Sequence, residues 1–137
     1  MGQYFVAVNH DKREMVCPWC LNGLAKLFEW MVNPQAGVFP YLLRRSTGSG
    51  GGDVDPDAVE FAGRWAGDRV ELVGDYDDSG GYQRAFAEYT NISPAVAAEH
   101  NRFVRDDDLR LGGGPCGSCR ESGVTMLEPL PASAGTG

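Results

Sequence analysis

The stretch QYFVAVNHDKREMVC, Gln3 to Cys17, sets two strand-like runs, QYFVAV and REMVC, on either side of NHDK. Asn and Asp side chains bond their own backbone and tolerate left-handed geometry, so NHDK is turn chemistry. The β-branched and aromatic residues beside it suit a pleated surface. The pattern predicts an antiparallel hairpin with Tyr4, Val6 and Val8 on one face.

Beyond the hairpin, Asn22 is placed to cap a helix in which Leu24, Leu27, Phe28 and Met31 recur at i, i+3, i+4 and i+7, ending at Asn33-Pro34. That stripe is expected to lie in the core. VFPYLLRR, Val38 to Arg45, is expected to be extended, although a short apolar run does not itself decide between strand and helix. A glycine-rich surface loop follows at 46–55; it lacks the Lys-Ser/Thr ending of a phosphate cradle. Asp55-Pro56 reads as an N-cap and first helical residue. DRVELVGD reads as a strand with Val70 and Leu72 on one face, and YQRAFAEY as a helix. A further helix is expected from Ser93-Pro94 to about Val104, with Val96, His100, Phe103 and Val104 on one side. Residues 129–137, small and polar, are expected to form a disordered tail. The sum is one α+β domain over residues 1–128, a small, mostly antiparallel sheet with about three helices.

A chain of 137 residues can bury roughly two thirds of its unfolded surface without help from a metal or disulfide. Its net charge of −7 sets 19 acids against 12 bases, which disfavours nucleic acid as a partner; Arg44 and Arg45 are too few to make a basic patch. No apolar run approaches the ~20 residues that span a bilayer. Gly2 is followed by Val6 where a myristoylation signal needs Ser or Thr, and the start lacks a signal peptide's basic and apolar regions. The expected compartment is the cytoplasm.

The four cysteines fall into two pairs, CPWC at Cys17 and Cys20 and CGSC at Cys116 and Cys119. Two CxxC turns are the usual source of four thiolates for tetrahedral zinc, each sulfur about 2.3 Å from the ion. CPWCLNG nearly matches the CPxCG knuckle, and glycine and proline flank both pairs. Residues 21–115 separate them, so the fold has to bring the two ends of the chain together. The expectation is a structural zinc site at Cys17, Cys20, Cys116 and Cys119 in a binding or adaptor module, its partner a protein or small molecule, rather than an enzyme.

Two enzymatic readings stand beside it. A CxxC between strand and helix has its first thiol acidified by the helix dipole, and CPWC resembles the CPYC site of glutaredoxins, which implies thiol-disulfide exchange through Cys17 and Cys20. That family also needs a cis-proline loop facing the cysteines, whereas NISP, Asn91 to Pro94, reads as a helix start. In VELVGDYDDSGGYQRAF, Asp75 and Asp77 resemble the DxDxxG motif of Toprim phosphotransfer domains, which would bind Mg²⁺. Neither Glu29 nor Glu60 is placed as the glutamate that motif requires, and an EF-hand fails because Phe86 holds the twelfth position. Asp75, Asp77 and Asp78 are therefore expected in an exposed turn, with Tyr76 or Tyr82 returning to the core. His10 and His100 are read as structural, and Trp65 as a core plug beside Arg64, Asp68 and Arg69.

MGQYFVAVNHDKRE and AGRWAGDRVELVGDYD together carry one wider likeness. The chain resembles a group of small microbial and viral proteins that open with an MGQY and VN-DK pattern and share a GRWAGDR-VGDYD core. The resemblance implies a single domain and no particular activity.

Overall fold

The computed structural model describes residues 3–46 and 59–128. The glycine-rich segment at 47–55, the Asp55-Pro56 cap and the tail at 129–137 lie outside these residues.

The hairpin forms as its turn chemistry demands: strand β1 (Phe5–Asn9) pairs antiparallel with β2 (Glu14–Val16), Ala7 opposite Val16 and Val8 opposite Met15. Asn9 Oδ1 accepts from Lys12 N at 2.9 Å and closes the turn. Two helices follow, α1 (Leu27–Val32) and α2 (Val38–Leu43), and then β3 (Val70–Gly74) pairs antiparallel with the other side of β1. Helix α3 (Gly81–Glu88) leads to β4 (Thr90–Asn91), which pairs parallel with β2. Helices α4 (Ser93–Asn101) and α5 (Gly117–Ser122) complete the order. The sheet runs β3-β1-β2-β4, a mixed sheet in an α+β domain, with five α-helices among the described residues. Among the described residues, no helix is long and apolar enough to cross a membrane.

Alternation along the strands gives the sheet two apolar faces. Ala7 and Val16 face a core built with Trp30, Val38, Leu42, Trp65 and Val96. Val6, Val8 and Met15 face a second one with Ala85, Tyr89 and three of the cysteines. Tyr4 stays exposed, edge-on to Trp19 with ring centroids 5.8 Å apart.

Four expectations are corrected. The stripe Leu24, Leu27, Phe28 and Met31 does not enter the core; all four side chains are exposed. Asn22 closes a 3-10 turn in the left-handed region (φ 62°) instead of capping α1, which begins after Lys26, whose N–H bonds Glu29 Oε1 at 3.0 Å. A helix of six residues has little inward surface, and Trp30 takes it: the indole is buried against Phe39 and donates to the carbonyl of Phe5 at 3.1 Å. An indole buries more apolar area than any residue of the stripe and brings a donor that burial obliges to be bonded.

The segment expected to be extended is α2. Val38 and Leu42, one turn apart, are buried, and Pro40 sits in the first turn, where its missing N–H costs nothing. The carbonyls of Tyr41 and Leu42 accept from Gly63 and Trp65 N–H at 2.8 and 2.9 Å. The helix expected from Ser93-Pro94 also stops short of Val104, ending at Asn101.

Buried polar groups fix the layers. Glu14 receives two bonds from Arg64 Nε, a 2.5 Å contact from Arg64 Nη2, and the Trp65 indole N–H at 2.8 Å. Glu99 of α4 receives the Tyr41 hydroxyl at 2.6 Å and the N–H groups of Glu60 and Phe61, each at 2.7 Å.

Candidate metal centre

At the end of β2 the chain turns through Pro18 into a 3-10 turn, Trp19–Leu21, whose N–H groups at Leu21 and Gly23 both reach the Pro18 carbonyl. This knuckle presents Cys17 and Cys20, both buried. The second knuckle caps α5, with Cys116 at the N-cap and Cys119 one turn on; Arg120 N–H bonds the Cys116 carbonyl at 3.0 Å and Gly123, at φ 72°, ends the helix. Cys119 is buried and Cys116 half-buried.

Glycines close the long separation between the knuckles. The strap LGGGP crosses the first knuckle so closely that a Cβ on Gly114 would lie 2.8 Å from the Cys20 carbonyl oxygen, and one on Gly112 would lie 2.6 Å from Asn22 Cβ. Gly112 N–H bonds the Leu21 carbonyl at 2.9 Å, so backbone rests on backbone here.

The four sulfurs of Cys17, Cys20, Cys116 and Cys119 all lie within 4.8 Å of one another, an arrangement that could hold a metal ion. Cys17 Sγ and Cys116 Sγ are 3.9 Å apart. Sulfurs bound at about 2.3 Å to one tetrahedral ion stand roughly 3.8 Å apart, and a disulfide needs about 2.05 Å. No disulfide joins them. The spacing therefore suits a shared cation better than a covalent bridge.

Two residues that the sequence reading passed over as a helix start support the cluster from behind. Asn91 is fully buried, and its Nδ2 donates to Cys20 Sγ at 3.3 Å and to Cys119 Sγ at 3.5 Å. Its Oδ1 accepts from Ser93 N–H at 2.9 Å, and Ser93 Oγ accepts from Cys17 N–H at 2.7 Å. One polar chain thus reaches Cys17, Cys20 and Cys119. Cys116 N–H adds a donor to Cys20 Sγ at 3.4 Å.

These contacts divide the protons unevenly. Hydrogen bonds with Cys119 and Cys17, followed by those from Cys116 N–H and Asn91, hold the Cys20 thiol well below the usual thiol range despite its burial. Cys17 is pushed far above the usual thiol range, because it shares its proton with Cys119 and Cys20 and is itself desolvated. At Cys119 the bond with Cys17 lowers the pKa, but the bond with Cys20 and burial outweigh it, and the thiol is pushed above its usual range. The hydrogen bonds thus favour negative charge at Cys20 over Cys17 and Cys119. A divalent ion would displace the thiol protons and meet sulfurs already gathered.

The acidic turn is elsewhere. Asp75 Oδ1 accepts from Tyr4 N–H at 3.0 Å at the sheet edge, and Asp77 Oδ2 is taken by the N–H and hydroxyl of Ser79. Asp77 and Asp78 are exposed, and no carboxylate group among the described residues gathers as the thiols do. β3 is antiparallel to its neighbour, unlike the parallel strand arrangement that the phosphotransfer reading requires. Tyr82, packed on Phe86, returns toward the core, and Tyr76 stays outside. Glu29 serves its own helix. His10 bridges Tyr89 and Glu71, and Asp68 accepts from Asn9 and Lys12 beside the hairpin turn. Trp65 is fully buried.

Comparisons of the chain with protein-family models, with curated proteins and with solved structures find no match, so the site is interpreted from its own chemistry.

Proposed function

We propose that the protein binds one zinc ion through Cys17, Cys20, Cys116 and Cys119, and that this structural site clasps an α+β binding or adaptor module for a protein or small-molecule partner. The observation that carries the reading is the meeting of four thiols within 4.8 Å from opposite ends of the chain. Four thiolates fill a tetrahedron and leave no position for water or substrate, the mark of structural rather than catalytic zinc. An all-sulfur tetrahedral set also accepts iron, which metal analysis distinguishes from zinc. The burial of Cys17 and Cys20 weighs against thiol-disulfide exchange, which needs an accessible thiolate. In keeping with its charge and cysteine usage, the protein acts in the cytoplasm, away from nucleic acid.

Native mass spectrometry with and without chelator tests this. One zinc per chain is expected, with loss of zinc lowering the melting temperature. Cys116→Ser should destabilise the fold by several kcal/mol, because structural zinc contributes on the order of 10 kcal/mol to folding. Metal-free protein with a Cys17–Cys20 disulfide and brisk turnover of glutathione mixed disulfides would instead establish the oxidoreductase.

A further inference from the structure

Helix α1 turns the wrong side to solvent. Leu24, Leu27, Phe28, Met31 and Val32 are 52, 50, 69, 68 and 57% exposed, while Trp30 alone faces inward. Along the helix Leu27 and Met31 lie one turn apart, as do Phe28 and Val32, so they form one continuous face rather than scattered surface residues. Leu24 is held beside this face by Gln35, whose Oε1 accepts from Leu24 N–H at 2.9 Å and whose Nε2 donates to its carbonyl at 2.6 Å. A monomer rarely shows water so large an apolar face without a use for it.

We infer that this face docks a second copy of the chain, through an isologous antiparallel contact between two α1 helices. Other segments of the chain are poorly suited to cover it: residues 1–2, 47–58 and 129–137 supply only Met1, Val54 and Leu130 as large apolar side chains. Five half- to two-thirds-exposed side chains offer roughly 450 Å² per copy, so two copies bury about 900 Å² before the rim is counted, close to the ~1,000 Å² of a specific interface. The charge of the patch suits self-association as well. The chain carries −7 overall, yet residues 22–35 hold only Lys26 and Glu29, so like-charge repulsion is weakest here.

The sequence also fits a twofold axis. With the axis between Leu27 and Phe28, Leu27 meets Phe28 of the second copy and Leu24 meets Met31, while Lys26 and Glu29 lie off the contact face, Glu29 bonded to Lys26 N–H of its own chain. Apolar residues oppose apolar ones in this register and the charged residues stay outside it, as an isologous apolar contact requires. A lipid surface fits less well, because an acidic protein with Lys26 as the one cation of this segment gains nothing from anionic headgroups.

Sedimentation velocity of the full chain, metal as purified, tests the contact. The expected mass rises with concentration from one chain to two. Phe28→Glu/Met31→Glu should hold it at one chain, with an unchanged circular dichroism spectrum and zinc content. Should that double variant fail to fold, Val32→Lys serves instead: it sets a charge on the exposed end of the apolar face and should weaken the dimer at least severalfold. A wild-type chain that stays monomeric to about 500 μM, weaker than any functional contact of this size, overturns the inference. So does a dimer that survives the double variant, or a monomer that instead co-sediments with phosphatidylcholine vesicles through the same residues.

Discussion

The side-chain amide of Asn91 stands 3.3 Å from Cys20 Sγ, and the same nitrogen lies 3.5 Å from Cys119 Sγ. A single buried donor therefore bridges sulfurs from both knuckles. Partners of this kind orient metal-binding side chains and moderate the charge on them, and their loss typically lowers metal affinity 10- to 100-fold. Asn91→Asp sets a carboxylate against the thiolates, so zinc affinity measured against a chromophoric chelator should fall at least that far. Wild-type affinity would mean that the amide is a bystander.

Glu14 is the other buried polar anchor, and its environment differs from that of Asn91. Its carboxylate holds the Arg64 guanidinium and the Trp65 indole at once, and the bonds to Glu14 raise the pKa of Arg64 above its ordinary value. Glu14→Ala leaves a partly buried cation and an orphaned indole N–H. Breaking such a pair costs about 3 kcal/mol or more, read from the urea midpoint at constant m-value. A loss under about 0.5 kcal/mol would place the anchoring elsewhere.

His100 lies at the wall of a cavity of ≈ 370 Å³ lined by Gly37, Pro40, Tyr41 and Phe103. Burial lowers its pKa below the ordinary 6.5, and the bond to Asn101 opposes that shift without cancelling it. The folded protein thus prefers the neutral ring, while the unfolded chain takes up its proton first as pH drops through 6.5. This contribution to stability is complete above that pH and declines below it, toward the lower folded pKa. His100→Gln should flatten the fall in urea midpoint between about pH 7.5 and pH 5.5; an unaltered slope would assign the acid sensitivity to other groups.

The acidic turn makes its own forecast. Asp75 and Asp77 already accept hydrogen bonds from Tyr4 and Ser79, so Mg²⁺ has to displace protein contacts to bind there. Mg²⁺ in the millimolar range should leave the melting temperature unchanged. A saturable rise that disappears in Asp75→Asn would revive phosphotransfer as the activity to pursue.

What the sequence revealed and what it hid follow the range of the interactions. The hairpin was legible because NHDK specifies its turn within four residues, and β3 and α3 because their patterns are local. The cysteine pairs were legible as knuckles, and they do meet. Asn91 and Ser93 were not, since their partners Cys20 and Cys17 lie 71 and 76 residues away and nothing in NISP marks an asparagine as a sulfur donor. VFPYLL reads equally well as strand or helix until Gly63 and Trp65 claim the carbonyls of α2. The facing of α1 was misjudged because counting apolar positions favours Leu27, Phe28 and Met31, whereas one indole with a carbonyl to bond outweighed them.

The strap that lays Gly114 against Cys20 has a consequence for the order in which the protein can be finished. A ribosome delivers the first knuckle early and the second only after residue 115. At about 5–20 residues per second, Cys17 and Cys20 wait on the order of 5–20 s as a two-thiol half-site, with the hairpin made and nothing to complete the tetrahedron. During that interval the nascent chain can hold an ion only weakly, and it is most open to oxidation or to capture of the wrong metal. The clasp closes late, because the four thiols can meet around one ion only after Cys119 has emerged.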